Sequence, residues 1–169
     1  MTLPQGIVLA LALLRLVELV HAERNTRRLR AAGGRTVGDG HYPLIILFHV
    51  AWLAVLWWLG GKADRPDWLP LATFGLLEAL RLWVIVTLGR YWTTRIIHVP
   101  DAPLVRSGPY RVFRHPNYAI VCGEIAVLPL VFGQWQIALI FSILNAAVLA
   151  WRIKVENAAL AMRPGGGES

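Results

Sequence analysis

The sequence predicts an all-α integral membrane protein in which about five transmembrane helices are joined by short connections and one longer polar segment. Of its 169 residues, 56% are hydrophobic and eight are tryptophan, a composition too apolar for an ordinary soluble domain. The length corresponds to a single domain. The formal net charge of +7 sits mainly between the apolar runs, which membrane topology explains better than nucleic-acid binding.

The first apolar run, residues 3–20, is predicted to be a retained membrane helix and not a signal peptide. No basic residue precedes it, Arg15 and Glu18 interrupt it, and no small-residue cleavage site follows it. These two side chains share a helix face and can pair; lining a functional site is the alternative. The polar stretch of residues 21–40 is expected to continue the helix to the membrane surface until its glycines end it.

Residues 43–59 and 69–88 are predicted to form the second and third membrane helices. His49, isolated in the second apolar run, is expected to be a hydrogen-bonded packing residue. The third run contains Glu78 and Arg81, three residues apart. A stabilising ion pair between them on one helix face is therefore expected, with a catalytic role as the alternative.

The last apolar runs, residues 119–132 and 135–151, are predicted to form an antiparallel helical hairpin, because only two residues separate them. Glu124 lies deep in the first of these runs. Since an unpaired carboxylate there would be costly, it is expected to be protonated, directed to a cavity or paired, with Asn145 as a possible partner. Cys122, the single cysteine, is expected to act as a small hydrophobic side chain. A lone cysteine excludes a disulfide framework and a thiolate metal cluster.

The central segment, residues 89–118, is the longest stretch that cannot be a membrane helix, and we expect the functional site there. It is rich in cationic and imidazole side chains: Arg90, Arg95, His98, Arg106, Arg111, Arg114 and His115. The Gly108-Pro109 pair is predicted to form a turn. Pro116 disfavours helix at His115 and suits the first position of the helix that follows. His115 is therefore expected at a helix N-terminus, where backbone N–H groups and the helix dipole suit an anionic ligand group.

Connections that are rich in Lys and Arg alternate along the chain with connections that are poor in them. By the positive-inside rule, the N-terminus is expected outside, and the central segment and the C-terminus are expected in the cytoplasm. Arginines in the first connection also suit the anionic headgroups of membrane lipids.

The central segment and the C-terminal tail together resemble one enzyme family. It is the isoprenylcysteine carboxyl methyltransferase family, integral membrane enzymes that use S-adenosylmethionine, and the resemblance is carried by LVRSGPYRVFRHPNY (residues 104–118) and RIKVE (residues 152–156). The N-terminal half resembles a bacterial branch often associated with methylation of long-chain alkylpyrones or alkylresorcinols. That likeness is carried by RLVE (residues 15–18), RN (residues 24–25) and HYP (residues 41–43).

The resemblance implies one membrane methyltransferase domain over residues 1–169, with three helices in residues 1–88, the catalytic segment in residues 89–118, and a hairpin with a cofactor-binding tail in residues 119–162. The implied activity is S-adenosylmethionine-dependent O-methylation of a lipophilic acceptor, either an isoprenylcysteine-like carboxylate or a long-chain alkylpyrone or phenolic lipid. We expect a bacterial inner membrane, with the site facing the cytoplasm. The expected partners are membrane lipid and a lipophilic small molecule, without nucleic acid or metal.

The resemblance also implies roles for individual residues. Contacts with the cofactor are implied for Leu104, Val105, Tyr110, His115, Pro116, Asn117, Tyr118 and Glu156. Arg152 is implied to face the acceptor and to steady its negative oxygen. The family often has a histidine where Ala102 stands, so that cofactor contact is expected either to be lost or to be supplied by His98. A carboxylate acceptor needs no base, whereas a phenol would need a general base, which Glu124 or a histidine could provide. Glu124 is therefore the second catalytic candidate beside Arg152.

Two other classes of protein are left open by the sequence. Nicotinamide-dependent sterol-type reductases of membranes share the RHPNY motif, but they normally need a longer chain and a larger cofactor pocket. A small membrane transporter or scaffold would be non-enzymatic. Transport predicts a paired, broken-helix site at mid-membrane, whereas this chain has one interrupted segment at one surface.

Overall fold

Five helices and one small sheet make up the protein, in a computed structural model that describes residues 1–37, 42–60, 62, 65–99, 105–113 and 115–161, without the side chains of residues 37 and 155–161. The helices are α1 (Leu3–Ala31), α2 (Tyr42–Gly60), α3 (Trp68–Leu88), α4 (Pro116–Val131) and α5 (Trp135–Ala161). Antiparallel strands are β1 (Arg35–Val37) and β2 (Ile96–His98), and 3₁₀ turns cover Gly89–Tyr91 and Gly108–Arg111. The all-α prediction is confirmed; the sheet is not evident from the sequence because three-residue strands carry too little periodicity.

Four of the helices, α1, α2, α3 and α5, are long and apolar enough to cross a membrane, which is consistent with an integral membrane protein. α4 is a shorter apolar helix of 16 residues. At 1.5 Å per residue it spans about 24 Å, less than the roughly 30 Å of a bilayer's hydrocarbon core. Because a tight turn joins α4 to α5 at one end of the bundle, we expect the other end of α4 to lie short of the opposite membrane surface.

Hydrogen bonds between helix ends show that the first four helices run alternately up and down. At one end of the bundle, the Thr2 hydroxyl donates to the Gly60 carbonyl at 3.0 Å. The Asp67 N–H donates to the Val131 carbonyl at 2.8 Å, so the starts of α1 and α3 meet the ends of α2 and α4. At the other end, Asn25 of α1 contacts residues that follow α3. This arrangement agrees with the alternation of basic and non-basic connections.

The ends of α1 follow from its local sequence. Thr2 and Gln5 form a reciprocal capping box, with hydrogen bonds of 3.0 and 3.3 Å, which satisfies backbone N–H groups at the helix start. The helix runs for 29 residues and ends at Ala31, just before Gly33 and Gly34. The prediction that the polar stretch continues the first helix until its glycines is therefore confirmed.

Two apolar clusters fill the bundle at different levels. The turn-side cluster lies toward the turn between α4 and α5 and consists of Val8, Leu11, Phe48, Trp52, Leu56, Phe74, Ile125, Leu128, Val131, Phe132 and Phe141. The connector-side cluster lies toward the segment that joins α3 to α4 and consists of Ala22, Val84, Trp92 and Ile120. Between these levels, α1, α3 and α4 carry five charged side chains that we call the ion layer: Arg15, Glu18, Glu78, Arg81 and Glu124.

Both arginines of the ion layer contact carboxylates on other helices. Arg15 contacts Glu78 and lies 3.3 Å from Glu124 Oε1. It also lies 2.6 Å from Glu18 Oε2, so the predicted Arg15–Glu18 pair is confirmed. Arg81 Nε lies 3.0 Å from Glu18, and its Nη1 lies 2.8 Å from Glu124 Oε2. The carboxylate of Glu124 is thus paired although that residue is only 4% exposed.

Two other predicted polar contacts, those of Glu78 and of Glu124, are wrong, whereas the prediction for His49 is confirmed. Glu78 and Arg81 pair across helices instead of with each other. Asn145 is not the partner of Glu124, because its amide donates to the sulfur of the single cysteine at 3.4 Å. His49 is a packing residue as predicted, with Nδ1 2.8 Å from a carbonyl of the preceding turn. Sequence spacing shows which side chains share a face, but a neighbouring helix can offer a better-placed partner.

Replacing Arg81 by methionine is expected to destabilise the protein by about 3–5 kcal/mol, because it leaves Glu18 and Glu124 buried without this partner. The matched control is Arg27→Met. The Arg27 side chain is 77% exposed and lies 3.2 Å from Glu23, a surface pair worth about 0–1 kcal/mol. Unfolding of both variants in detergent, followed by circular dichroism, measures the difference. Equal stabilities of the two variants would contradict a structural role for the ion layer.

Candidate functional site

The N-terminal end of α4 presents residues that the sequence predicts to bind a cofactor. The helix begins at Pro116, and His115 is its N-cap residue with φ −133° and ψ 64°, as predicted. Tyr118 lies in the first helical turn and its ring stacks on that of His115, with centroids 5.3 Å apart and planes inclined by 18°. Both residues are half-buried. The chain therefore presents a stacked pair of rings at this helix end.

Arg152 of α5 is held against this helix end by two hydrogen bonds. Its Nε donates to Tyr118 Oη at 3.0 Å, and its Nη2 donates to the Thr94 carbonyl at 2.7 Å. Because a guanidinium is planar, two bonds in different directions fix its orientation. The position of this charge thus depends on α4, α5 and the segment between α3 and α4, which we call the connector. Thr94, His115, Tyr118 and Arg152 are called the site cluster below.

The start of α2 reaches the site cluster through Thr94. The Thr94 hydroxyl is hydrogen-bonded to Tyr42 Oη at 3.0 Å, and the guanidinium carbon of Arg95 lies 4.0 Å from the Tyr42 ring centroid. From the RN and HYP motifs, the sequence suggested that Asn25, His41 and Tyr42 fold toward the active site but could not place them, and it did not name Thr94. Tyr42 does reach the site cluster, whereas His41 lies outside the described residues. Thr94 binds Arg152 through its backbone carbonyl, which no side-chain pattern reveals.

The start of α4 offers fewer backbone donors than an unobstructed helix N-terminus. Pro116 has no N–H, and the N–H groups of Tyr118 and Ala119 donate to the His115 carbonyl at 3.1 and 3.4 Å. Asn117 adds a polar group of another kind, since its Oδ1 is buried and has no hydrogen-bond partner among the residues that the structure describes. A buried acceptor without a partner is costly, so a ligand N–H or O–H group would be favoured here.

The remaining residues of the predicted cofactor site lie along the connector. His98 is on β2, directly across from Arg35 of β1. Tyr110 is half-buried and packs against the connector-side cluster, and Val105 is half-buried as well. Leu104 lies outside the described residues. The cofactor contacts implied for these four positions by the family resemblance stay predictions.

The two carboxylates singled out in the sequence take different positions. Glu156 lies on α5, one turn beyond Arg152, and its side chain is outside the described part of the chain. Glu124 lies on α4 six residues after Tyr118, about 9 Å along the helix axis. Its carboxylate contacts both arginines of the ion layer. Its role as a general base stays a prediction.

Gly108 shapes the turn that leads to Tyr110. Its φ is 56°, and a Cβ there would lie 2.8 Å from Thr87 Oγ1 and 3.4 Å from Trp83 Nε1. A side chain is therefore excluded both by the backbone conformation and by the contact with α3. Pro109 is buried in the same turn. The Gly-Pro turn predicted from the sequence is confirmed, and it brings Tyr110 against the helices.

Known proteins resemble this chain over the region that carries the site. Residues 69–162 match the model of the isoprenylcysteine carboxyl methyltransferase (ICMT) family. The chain is 37% identical over 150 residues to the uncharacterized protein YpbQ of Bacillus subtilis, covering 86% of this chain and 89% of that protein. It is 28% identical over 142 residues to an uncharacterized protein of Haemophilus influenzae, covering 81% and 83%. No solved structure matches the chain significantly.

Gly108→Ala is expected to lower the stability more than Gly133→Ala. Both glycines have positive φ, 56° and 69°, so both alanines incur a backbone cost of about 1–2 kcal/mol. A Cβ at Gly133 meets nothing within 4 Å, whereas one at Gly108 meets Thr87, which adds about 1–3 kcal/mol of overpacking. Unfolding midpoints in detergent compare the two variants. A Gly108→Ala protein as stable as Gly133→Ala would show that the turn can move away from α3.

Proposed function

Because the chain belongs to the isoprenylcysteine carboxyl methyltransferase family, we propose that it transfers a methyl group from S-adenosylmethionine to an oxygen of a lipophilic acceptor. The observation that carries the proposal is the guanidinium of Arg152, oriented by Tyr118 and Thr94 at the start of α4. Membership of this family favours methyl transfer over the two alternatives left open by the sequence, a nicotinamide-dependent sterol-type reductase and a non-enzymatic transporter or scaffold.

The level of the site cluster suits an acceptor that stays in the bilayer. Measured along the helices from the turn between α4 and α5, Tyr118 lies about 20 Å and Arg152 about 26 Å away at 1.5 Å per residue. Both distances are shorter than the roughly 30 Å of the hydrocarbon core. An acceptor with a long apolar tail can therefore keep that tail among lipids while its polar head meets Arg152.

The start of α4 is where we propose that the cofactor binds. His115 offers an imidazole donor, Tyr118 an aromatic ring, and Asn117 a buried oxygen that has no partner among the described residues. Together these groups fit a ligand that carries a carboxylate, an ammonium and an aromatic base. S-adenosylmethionine would supply an electrophilic methyl group when bound there. Contacts from Tyr110 and Glu156, which the family resemblance implies, are part of the same proposal.

We propose that the acceptor oxygen is already ionised when it enters the site. Holding two reactants at near-attack distance supplies much of the acceleration of such a transfer, and an oriented guanidinium can hold an oxyanion by charge-assisted hydrogen bonds. Glu124 is engaged by two arginines in the ion layer, which favours a structural role for it over that of a general base. A carboxylate or an acidic enol therefore fits this site better than an unactivated phenol.

Arg152→Met is expected to lower methyl transfer about 100-fold, the usual effect of removing one oxyanion-stabilising donor, while the affinity for S-adenosylhomocysteine is retained. The measurements are calorimetric titration of purified protein in detergent, and incubation with labelled S-adenosylmethionine and a bacterial lipid extract followed by mass spectrometry. Arg111→Met is the matched control, because Arg111 is exposed in the connector. We expect Arg111→Met to retain both methyl transfer and the affinity for S-adenosylhomocysteine.

The outcomes of that experiment separate the parts of the proposal. If the unaltered protein does not bind S-adenosylhomocysteine, the proposed activity is wrong. If it binds and transfers methyl groups, but Arg152→Met and Arg111→Met behave alike, the role of Arg152 is wrong. If a phenolic acceptor is methylated as fast as a carboxylate or acidic enol acceptor, the preference for an ionised acceptor is wrong.

Orientation in the membrane is testable with single cysteines in a Cys122→Ala background. We expect Gln136→Cys to react with an impermeant maleimide in intact spheroplasts, and Ser107→Cys to react only after lysis, because the positive-inside rule places the connector in the cytoplasm. Gln136 and Ser107 are both exposed, so access from the aqueous phase and not burial decides the result. The reverse labelling pattern would show the opposite topology.

A further inference from the structure

A buried amide on α1 holds the backbone of the connector. Asn25 is 1% exposed, and its Nδ2 donates to the carbonyl of Trp92 at 2.9 Å and to that of Gly89 at 3.1 Å. His21, one helical turn earlier, stacks on the Trp92 ring with centroids 5.8 Å apart and planes inclined by 27°. Two side chains of α1 thus contact the same short piece of the connector, more than sixty residues away in sequence.

This piece of the connector leads directly into the site cluster. Trp92 precedes Thr94 by two residues, so the carbonyls of the two are separated by about 7 Å of extended chain. The Thr94 carbonyl accepts the hydrogen bond from Arg152 Nη2 at 2.7 Å. Asn25 therefore fixes the backbone from which the carbonyl that orients Arg152 is presented.

We propose that Asn25 is a positioning residue for methyl transfer, acting on Arg152 through the backbone of residues 89–94. This rests on the proposed function. An asparagine amide suits the task, because one NH₂ group carries two hydrogens and can donate to two carbonyl oxygens. The Gly89 carbonyl also accepts from the Trp92 N–H at 3.1 Å, so the bond to the Trp92 carbonyl is the one whose loss leaves a buried acceptor without its donor. Without those two bonds the Trp92 ring still packs against Ala22 and His21, but the backbone of residues 89–92 is no longer held to α1 by hydrogen bonds. The Thr94 carbonyl then no longer holds the guanidinium in one orientation.

The adjacent residue provides a matched control. Thr26 is also 1% exposed, but its hydroxyl has no hydrogen-bond partner among the described residues. Thr26→Val therefore changes a buried side chain next to Asn25 without removing a bond to the connector. Asn25→Asp is nearly isosteric and replaces the NH₂ group, which donates to two carbonyls, with an oxygen that cannot donate when ionised.

The experiment compares these two variants with the unaltered protein in detergent. Hydrogen exchange should become faster in peptides that cover residues 89–94 of Asn25→Asp and stay unchanged in Thr26→Val. Methyl transfer to a bacterial lipid extract should fall about tenfold or more in Asn25→Asp, as expected for two lost hydrogen bonds, with unchanged calorimetric affinity for S-adenosylhomocysteine. Unchanged exchange in Asn25→Asp, or an equal loss of activity in Thr26→Val, would overturn the positioning role.

A double variant separates positioning from general destabilisation. Arg152→Lys removes the guanidinium that the connector orients, so adding Asn25→Asp to it should cause no further loss of methyl transfer. If the fold-loss of methyl transfer in the double variant equals the product of the two single-variant losses, the two residues act independently. That result would overturn the proposal. If Asn25→Asp does not fold, Asn25→Ala takes its place, because it removes the same amide without adding a charge. Faster exchange at residues 89–94 in Asn25→Ala supports the proposal, and unchanged exchange overturns it.

The proposed function and the positioning role fail in different ways. If the unaltered protein does not bind S-adenosylhomocysteine, the proposed function is wrong and the positioning role is wrong with it. If it binds and transfers methyl groups while Asn25→Asp transfers them equally well, only the positioning role is wrong.

Discussion

Charge buried in a low-dielectric interior is the constraint on which this bundle depends. An unpaired carboxylate or guanidinium is costly at that depth, so Arg15 and Arg81 must each meet carboxylates on neighbouring helices. Sliding one helix past another by a single turn would displace these groups by about 5.4 Å, whereas the longest contact in the ion layer is 3.3 Å. The ion layer therefore sets the vertical register of α1, α3 and α4.

That register positions the site cluster. Along α4, Glu124 lies in the ion layer, Ile120 in the connector-side cluster and Tyr118 in the site cluster, in consecutive steps toward the helix start. Along α1, Glu18 lies in the ion layer, Ala22 in the connector-side cluster and Asn25 at the connector. The ion layer, the connector-side cluster and the contacts around the site thus follow in the same order along α1 and α4. A shift of either helix at the ion layer would therefore also displace the residues at the site.

Contacts with other elements hold the connector in place, because the described part of it has little regular structure of its own. Asn25 of α1 binds its first part, Tyr42 of α2 binds the Thr94 hydroxyl, and Arg152 of α5 binds the Thr94 carbonyl. β1 pairs with β2 and adds a fourth attachment. A segment attached to several helices can form a precise site without a helix or a long strand, since each attachment removes some of its freedom.

The length of α4 sets it apart from the other helices. A helix of 16 residues is too short to reach both surfaces of a typical bilayer, whereas the other four helices are long and apolar enough to cross one. Bonds among Thr94, Tyr118 and Arg152 satisfy part of the hydrogen-bonding capacity of the polar groups at the start of α4. The lipophilic acceptor that we propose would reach the site from the bilayer at this level.

By itself the sequence determined the five helices, the ends set by glycine and proline, the Arg15–Glu18 pair and the place of His115 before α4, because run length, turn residues and i,i+3 spacing are local properties. Only the tertiary structure decided that Glu78 and Glu124 pair with arginines of other helices, since the better-placed partner comes from a different part of the chain. The hydrogen bonds of Asn25 to the connector and of Arg152 to the Thr94 carbonyl were decided there too. A hydrogen bond to a distant backbone carbonyl depends on the path of the chain and leaves no pattern in the side chains.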